Sequence, residues 1–413
     1  MSLGELGQHA PHPFFGVKDD CLTVAGTSLL DIAAQAGRTP FYAYSRAYLS
    51  ERVAALRSTL PAGVHLHYAI KANPMPDVVR HMAPLVDGLD VASAREMRVA
   101  LDAGMRPELI SFAGPGKTPA ELEAAVAAGI VLNVESELEI ERLAEIARRT
   151  GARPQVAVRV NPDFELKTSG MKMSGGPKQF GIDAERVAAA LAQIGRLPLA
   201  FVGFHIFSGS QNLRAEAIVE AQQKAVALAI ELARAAPAPV KILNIGGGFG
   251  IPYFPGEKPL DLAPIAANLQ QLVGTARTAL PTAQLVIELG RYLVGEAGIY
   301  VCRVLDRKIS RGHVFLITDG GLHHHLAASG NFGQVLRKNY PVIIGNHVRG
   351  TAREVASVGG PLCTPLDLLA DRMELARAEV GDLIVVLQSG AYGLSASPLG
   401  FLSHPAPAEI LVV

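Results

Sequence analysis

Along residues 65–291, reactive side chains recur at one kind of place, the carboxyl end of a short apolar run. Lys71 follows HYAI, Asp90 and Ser93 lie in GLDVAS, Glu135 closes IVLNVE, and Arg159 and Asn161 lie in VRVN. His205 and Ser208 occupy GFHIFSGSQ, Gly246, Gly247 and Gly248 occupy NIGGGFG, and Glu288 and Arg291 occupy ELGRY. Each type has a chemical use. Lys71 precedes Ala72, Asn73 and Pro74 rather than a helix, so its amine is expected to point into the mouth of a parallel barrel. Desolvation there favours the free amine and imine chemistry. Consecutive glycines present bare backbone N–H groups that cradle a phosphate, and Arg291 adds a charge-assisted contact to such an anion. A dinucleotide fingerprint fits poorly, because IPYFPGEKP follows the glycines and cannot open a helix. Taken singly, the glycines read equally as a tight turn, and Lys71 as a solvated surface charge.

An imine-forming lysine, a phosphate nest and a strand-end carboxylate are together what pyridoxal 5'-phosphate requires of a protein. The elements that must hold them are legible as an alternation. Strand-like runs fall at 65–70, 88–93, 109–114, 130–135, 155–160, 201–207, 241–247 and 284–290, with helical segments between them at 77–84, 94–103, 119–128, 136–150 and 215–235. Eight such units predict a closed (β/α)8 barrel, although an open doubly wound sheet has a similar pattern. After Glu288 the runs VCRVLDRK, HVFLITDGG, YPVIIGN, EVASVGG, DLIVVLQSG and EILVV follow with little helix. The predicted fold class is therefore α/β, a TIM-type barrel plus a β-sandwich-like domain formed by the N- and C-terminal segments. Residues 1–38 and 296–413 are assigned to the β domain, and 39–295 to the barrel. The hairpin FFGVKDDCLTVAGTSL is expected to join the same sheet, and FYAYS (41–45) to lead into the barrel. The irregular stretch 164–181 is long enough to expect a functional loop.

Composition narrows the classes further. The 413 residues exceed one ordinary domain, and 49% apolar against 18% charged gives material for a large core. With 38 basic and 38 acidic residues the net charge is zero, so no nucleic-acid partner is expected. Cys21, Cys302 and Cys363 are few and widely spaced, which suits a reducing compartment and the cytoplasm, and opposes a thiolate metal site. No basic region followed by an apolar run opens the chain, and no stretch has bilayer length, so neither a leader nor membrane insertion is expected.

These residues resemble the fold-type III pyridoxal-phosphate decarboxylases, the family of diaminopimelate, ornithine and arginine decarboxylases. The resemblance runs through HYAIKAN (67–73), GLDVAS (88–93), VRVNP (158–162), KQFGI (178–182), GFHIFSGSQ (203–211), NIGGGFG (244–250), ELGRY (288–292), GGPLCTPLD (359–367), SGAYG (389–393) and HPAPAEILVV. It covers nearly the whole chain, and diaminopimelate decarboxylase is the closest general likeness. GFHIFSGSQNL and DGGLHHHLAASGNFGQ are similar to a branch associated with exosortase and exopolysaccharide gene clusters. The resemblance implies decarboxylation of an amino acid by a homodimer with shared active sites. Lys71 matches the lysine that carries the cofactor, and Gly246, Gly247, Gly248, Gly290 and Arg291 match the phosphate cradle. Glu288 matches the carboxylate on the pyridine nitrogen, where alanine racemases on this barrel present an arginine, so decarboxylation is favoured over racemisation. Tyr392 matches a tyrosine at the phosphate, and Cys363 a cysteine that protonates the carbanion from the neighbouring subunit. Asp90, Arg159, His205, Phe207 and Ser210 complete the expected cofactor-binding set. Arg291, Thr364 and Tyr392 are expected to face the substrate. A diaminopimelate decarboxylase of lysine biosynthesis, a racemase and a non-catalytic cofactor-binding homologue are the alternatives, and intact Lys71, Glu288 and Cys363 oppose the last.

Three departures qualify the match. Phe207 stands where the family has a histidine stacked on the cofactor ring, and His205 lies one step deeper on the same strand face. Thr364 stands where diaminopimelate and ornithine enzymes place an acid for the distal amine. His323, His324, His325, Leu326 and Ala327 occupy the segment where diaminopimelate enzymes place an arginine for the distal carboxylate. Adjacent histidines cannot all face one ion, so no metal is expected and they are read as residues lining an interface or pocket. The missing partners predict that meso-diaminopimelate is a poor substrate.

Overall fold

The computed structural model describes residues 2–3, 9–164, 171–172 and 175–413, so part of the expected loop at 164–181 lies outside the described residues. Two compact units emerge. One comprises Val53–Gly250 with Leu260–Gly290, and the other Met1–Arg52 with Ile251–Pro259 and Arg291–Val413.

The first unit is a closed parallel barrel. Its strands are β1 (Val64–Ala69), β2 (Gly88–Val91), β3 (Ile110–Phe112), β4 (Val131–Val134), β5 (Gln155–Asn161), β6 (Ala200–Ile206), β7 (Ile242–Gly247) and β8 (Gln284–Leu289). Each strand pairs in parallel with the next, and β8 pairs with β1 to close the ring. Helices α1 (Pro76–Met82), α2 (Ala94–Asp102), α3 (Pro119–Ala128), α4 (Glu137–Thr150), α5 (Ala184–Gly195), α6 (Ala215–Leu232) and α7 (Ala263–Ala279) connect them. All eight strands expected from the sequence form. In α3, Thr118 and Glu121 make a capping box, Pro119 opens the first turn, and Gly129 ends it in the left-handed conformation. In α4, Ile140, Leu143, Ala144 and Ala147 are buried at helical spacing, the stripe that docks a helix on a sheet. Between β6 and β7 the backbones approach so closely that a Cβ on Gly203 would lie 1.8 Å from the Ile242 carbonyl oxygen. Only glycine fits there.

The second unit is built of mainly antiparallel sheet with two parallel pairings. Gly298–Ser310 is its spine, pairing with Phe41–Ser45, His313–Thr318 and Leu383–Val386, while Ala408–Val412 lies parallel to Phe41–Ser45. FYAYS is therefore a strand of this sheet rather than the approach to the barrel. The N-terminal hairpin also departs from expectation. His12–Lys18, Cys21–Val24 and Thr27–Ser28 form a separate sheet with Ser2–Leu3. Their apolar side chains Phe15, Leu22 and Val24 pack in one core with Phe41, Ile299, Leu383 and Val385, so the hairpin contributes burial rather than extending the larger ladder. Leu368–Ala376 forms a strand that the sequence pattern hides, because Asp371, Arg372 and Glu374 interrupt its apolar run. Among the described residues no helix is long and apolar enough to cross a membrane.

The three histidines are core residues of this unit, each at most 1% exposed, which corrects their reading as an interface or pocket lining. His324 contacts the Tyr300 hydroxyl at 3.1 Å and the Pro405 carbonyl at 2.9 Å. His325 contacts Ser389 Oγ at 2.9 Å and accepts from Ala328 N at 3.2 Å, and the His323 ring lies 3.7 Å from that of His324. Burial lowers His325 to about 3, and His323 and His324 to about 4. These imidazoles stay neutral in the folded protein, whereas in the unfolded chain they protonate near 6.5. The unfolded state therefore takes up extra protons as pH falls from about 6.5 towards 4, and stability declines across that window. His325→Gln should make the thermal midpoint fall less steeply between these pH values, by about one proton in the linkage slope. Identical slopes for the variant and the parent would overturn this.

Candidate active site

Strand β1 delivers Lys71 on a single 3-10 turn, Ile70–Ala72. The turn is tied down by Tyr68, whose hydroxyl donates to the Asn73 carbonyl at 2.8 Å, and by Asn73 Oδ1, which accepts from Met75 N at 3.1 Å. Gly290, just past β8, leaves room for it, since a Cβ there would lie 3.0 Å from Ala72 Cβ and 3.2 Å from the Ala69 carbonyl. Lys71 Nζ is 3.7 Å from Glu288 Oε1 and 5.8 Å from the centre of the Phe207 ring. The expected desolvation of Lys71 is not found in the barrel, where its side chain is 43% exposed beside a carboxylate.

Glu288, near the end of β8, is the centre of the arrangement. Its Oε2 lies 3.0 Å from His205 Nε2 on β6 and accepts from Asn244 Nδ2 on β7 at 3.3 Å. Burial opposes ionisation of this carboxyl, yet the His205 contact and the charges of Lys71 and Arg159 outweigh it and hold Glu288 well below the usual carboxylate range. A second polar chain crosses the interior from the other side. Asn133 donates to Ser111 Oγ at 3.1 Å, Ser111 donates to Asp90 Oδ1 at 2.5 Å, and His67 Nδ1 lies 3.3 Å from the same oxygen. Burial opposes protonation of His67, and Asp90 and Glu288 overcome it, raising its pKa.

Arg159 donates to Glu135 Oε1 at 2.9 Å, and Glu135 Oε2 accepts from Gly181 N at 3.1 Å. The Phe180 ring sits 4.9 Å from the Arg159 guanidinium, so KQFGI is anchored on the barrel by a buried ion pair. Burial raises Glu135, but Arg159 and Lys117 pull its pKa down in net. Ser93 and Asn161, expected to be reactive, are structural. Ser93 caps α2 by accepting from Glu96 N, and Asn161 donates to Asp183 at 2.8 Å.

Gly246 and Gly248 have φ of +70° and +75°, and a Cβ on Gly247 would lie 2.3 Å from the Glu288 carbonyl oxygen. The Phe207 ring borders Gly246, where a Cβ would meet its Cδ2 at 2.8 Å. Ser210 lies on the short strand Gly209–Ser210, which pairs with Met171–Lys172.

The remaining expected residues belong to the second unit. Arg291 is buried, donates to the Tyr253 hydroxyl at 2.9 Å, and lies 4.7 Å from the centre of the Tyr392 ring. Tyr392 itself holds φ of +53°, an uncommon conformation for a non-glycine residue. Cys363 is exposed and Thr364 half-buried on a loop clasped by Asp367, which accepts from Leu362 N at 2.8 Å and Leu322 N at 2.6 Å. The Arg337 guanidinium is occupied by the carbonyls of Ser329 and Leu368.

The model of the family described as "Pyridoxal-dependent decarboxylase, pyridoxal binding domain" matches residues 46–295. The chain belongs to the pyridoxal-dependent decarboxylases. Within that family it is 39% identical to the L-glutamyl-[BtrI acyl-carrier protein] decarboxylase of Niallia circulans, over 90% of this chain and 88% of the relative. It is 35% identical to the diaminopimelate decarboxylase of Aquifex aeolicus, over 97% and 93% respectively. The crystal structure of diaminopimelate decarboxylase from M. jannaschii in complex with L-lysine superposes with a TM-score of 0.85 at 26% identity, covering 97% of this chain and 93% of that one. The enzyme is thus a carboxy-lyase with pyridoxal phosphate as cofactor.

The barrel residues fit that cofactor. A buried carboxylate kept anionic suits a protonated ring nitrogen, the adjacent amine suits covalent attachment, and Asp90 Oδ2 is a buried acceptor with no donor among the described residues. Sequence reasoning missed His67, Ser111, Asn133 and Asn244, which complete the two polar chains. Their signal was available, since each is a polar side chain within an otherwise apolar strand of a barrel. Replacing Glu288 by Gln should leave the cofactor bound and slow decarboxylation roughly a hundredfold or more, the scale seen when a preorganised electrostatic contact is lost. Cofactor absorbance and single-turnover CO2 release measure the two effects, and unchanged turnover would remove Glu288 from the chemistry.

Proposed function

We propose that this decarboxylase acts on an amino acid whose distal end carries no charge. The observation behind this reading is the make-up of the loops in the second unit. Thr364 follows Cys363 where an acid would pair with a distal amine, Ala327 lies in the segment expected to supply a distal arginine, and the Nη1 and Nη2 groups of Arg337 are taken by backbone carbonyls. The relative from Niallia circulans is named for a glutamyl group held on an acyl carrier protein, a substrate in which one carboxyl is consumed by the attachment. That name agrees with a masked distal end and differs from the free zwitterion of diaminopimelate.

In this reading Lys71 carries the cofactor, and Gly246, Gly247, Gly248, Gly290, Arg291, Ser210 and Tyr392 receive its phosphate. When bound, the cofactor ring accepts the electron pair left by departing CO2. Glu288, held by His205 and Asn244, would keep a proton on the ring nitrogen, and Phe207, which borders Gly246, would offer an apolar face to the ring. Cys363 returns a proton to the substrate carbon. The enzyme is a cytoplasmic homodimer, and its membership of the exopolysaccharide-associated branch rests on GFHIFSGSQNL and DGGLHHHLAASGNFGQ.

The substrate reading is tested by CO2 release from meso-diaminopimelate, ornithine, arginine, lysine and amino acids with amide- or ester-masked side chains. Diaminopimelate should fall roughly three orders of magnitude below the best masked substrate in kcat/KM, because a buried charge without a partner costs several kcal/mol. Efficient lysine production would overturn it. The shared site is tested by mixing Lys71→Ala and Cys363→Ala proteins, each nearly inactive alone. With demonstrated subunit exchange, half the dimers are mixed and each has one intact site, so about a quarter of parental activity should return. Mixed dimers without activity would defeat the shared-site arrangement.

A further inference from the structure

Behind the glycine run, helices α6 and α7 carry a chain of side-chain amides. Gln223 Nε2 donates to Asn268 Oδ1 at 2.9 Å, and Asn268 Nδ2 donates to Gln222 Oε1 at 2.9 Å. This order leaves Gln222 with only its Nε2 donor to spend. Among the described residues that donor has no acceptor, and neither has Asn212 Nδ2, whose companion Oδ1 accepts from Arg214 N at 2.9 Å. Both residues are buried, Gln222 2% exposed and Asn212 3%. Two buried donors without partners are uncommon in native proteins and call for an acceptor. Both residues line one cavity of about 20 Å3, which is also bordered by Ser208, Gly209, Gly247 and Gly248.

We propose that this cavity is a binding site for a single water molecule that braces the glycine run from behind. The volume admits one water and excludes phosphate or sulfate. Two convergent N–H groups satisfy the water oxygen, and its hydrogens are left for carbonyl oxygens of the lining backbone, giving the two to four bonds typical of a buried water. The same face already pins the run directly, since Asn212 N donates to the Gly248 carbonyl at 3.0 Å and Gly250 N donates to the Asn212 carbonyl at 2.9 Å. The water extends that support to the rest of the run and couples it to the amide chain on α6 and α7. Gln222 and Asn212 are then positioning residues for the phosphate end of the cofactor, a role that rests on reading Gly246, Gly247 and Gly248 as the phosphate cradle.

A high-resolution crystal structure of the holoenzyme should contain an ordered water within hydrogen-bonding distance of both Asn212 Nδ2 and Gln222 Nε2. No density there, or amides rotated onto protein acceptors, overturns the site. Gln222→Met should expel the water and raise the dissociation constant for pyridoxal phosphate about fivefold, the worth of one hydrogen bond. The affinity for pyridoxal, which has the ring without the phosphate, should not change. Asn212→Asp keeps the acceptor for Arg214 N while removing the donor, and should give the same selective loss if Gln222→Met does not fold. Equal weakening towards both ligands, or towards neither, defeats the positioning role. A parent protein that binds neither ligand defeats the cradle reading instead, and the density alone then decides the water site.

Discussion

A carboxylate placed in the middle of a barrel must be matched on both of its oxygens, and most of this molecule's first unit can be understood as the means of matching Glu288. One oxygen is 3.7 Å from Lys71 Nζ, and the other meets His205 at 3.0 Å and Asn244 at 3.3 Å. The partners come from β1, β6 and β7, so no single hairpin or βαβ unit assembles the group. Only a closed ring of strands brings the first strand beside the last. An unmatched charge at this depth would cost several kcal/mol or would simply take up a proton. With its partners in place, Glu288 remains an anion beside an amine, an arrangement that fits pyridoxal phosphate.

The same geometry explains why glycine recurs around that carboxylate. A Cβ on Gly247 would sit 2.3 Å from the Glu288 carbonyl oxygen, and one on Gly248 would sit 2.3 Å from that of Gly209. The glycines are therefore required by the protein's own packing, whatever they bind. The run is also tied down by its own amides, since Gly246 N donates to Asn244 Oδ1 at 2.8 Å and Gly250 N to the Asn212 carbonyl at 2.9 Å. Gly290 plays the corresponding part for the turn that bears Lys71.

The expected site residues are divided between the two units. The barrel holds the amine, the carboxylate and the polar chains that fix them, while the residues that depart from diaminopimelate and ornithine decarboxylases, Thr364 and Ala327, belong to the second unit. There Asp367 joins two loops through Leu322 N and Leu362 N, and its carboxylate lies so close to Gly321 and Gly360 that a Cβ on either would collide with it. The position of Cys363 is thus set by a buried acid rather than by the cysteine's own surroundings.

Much of this was determined by the sequence alone. Alternating apolar runs and helical segments, with Thr118, Pro119 and Gly129 as local punctuation, specify eight strands with helices between them, because period and capping are properties of neighbouring residues. Lys71, the glycine run and Glu288 were legible as a set, because strand ends in such a barrel converge on one face. What the sequence left open depends on contacts between residues far apart in the chain. FYAYS reads as any buried strand, and only its ladder with Gly298–Ser310 places it in the second unit. His323, His324 and His325 look like ligands or surface polar groups until their burial among Tyr300, Ser389 and Pro405 makes them neutral core residues. His67, Asn133 and Asn244 show in the sequence only as polar residues within apolar strands, and their partners appear only when the ring closes. Periodicity reports the face on which a side chain lies, and only the closed tertiary structure decides what faces it.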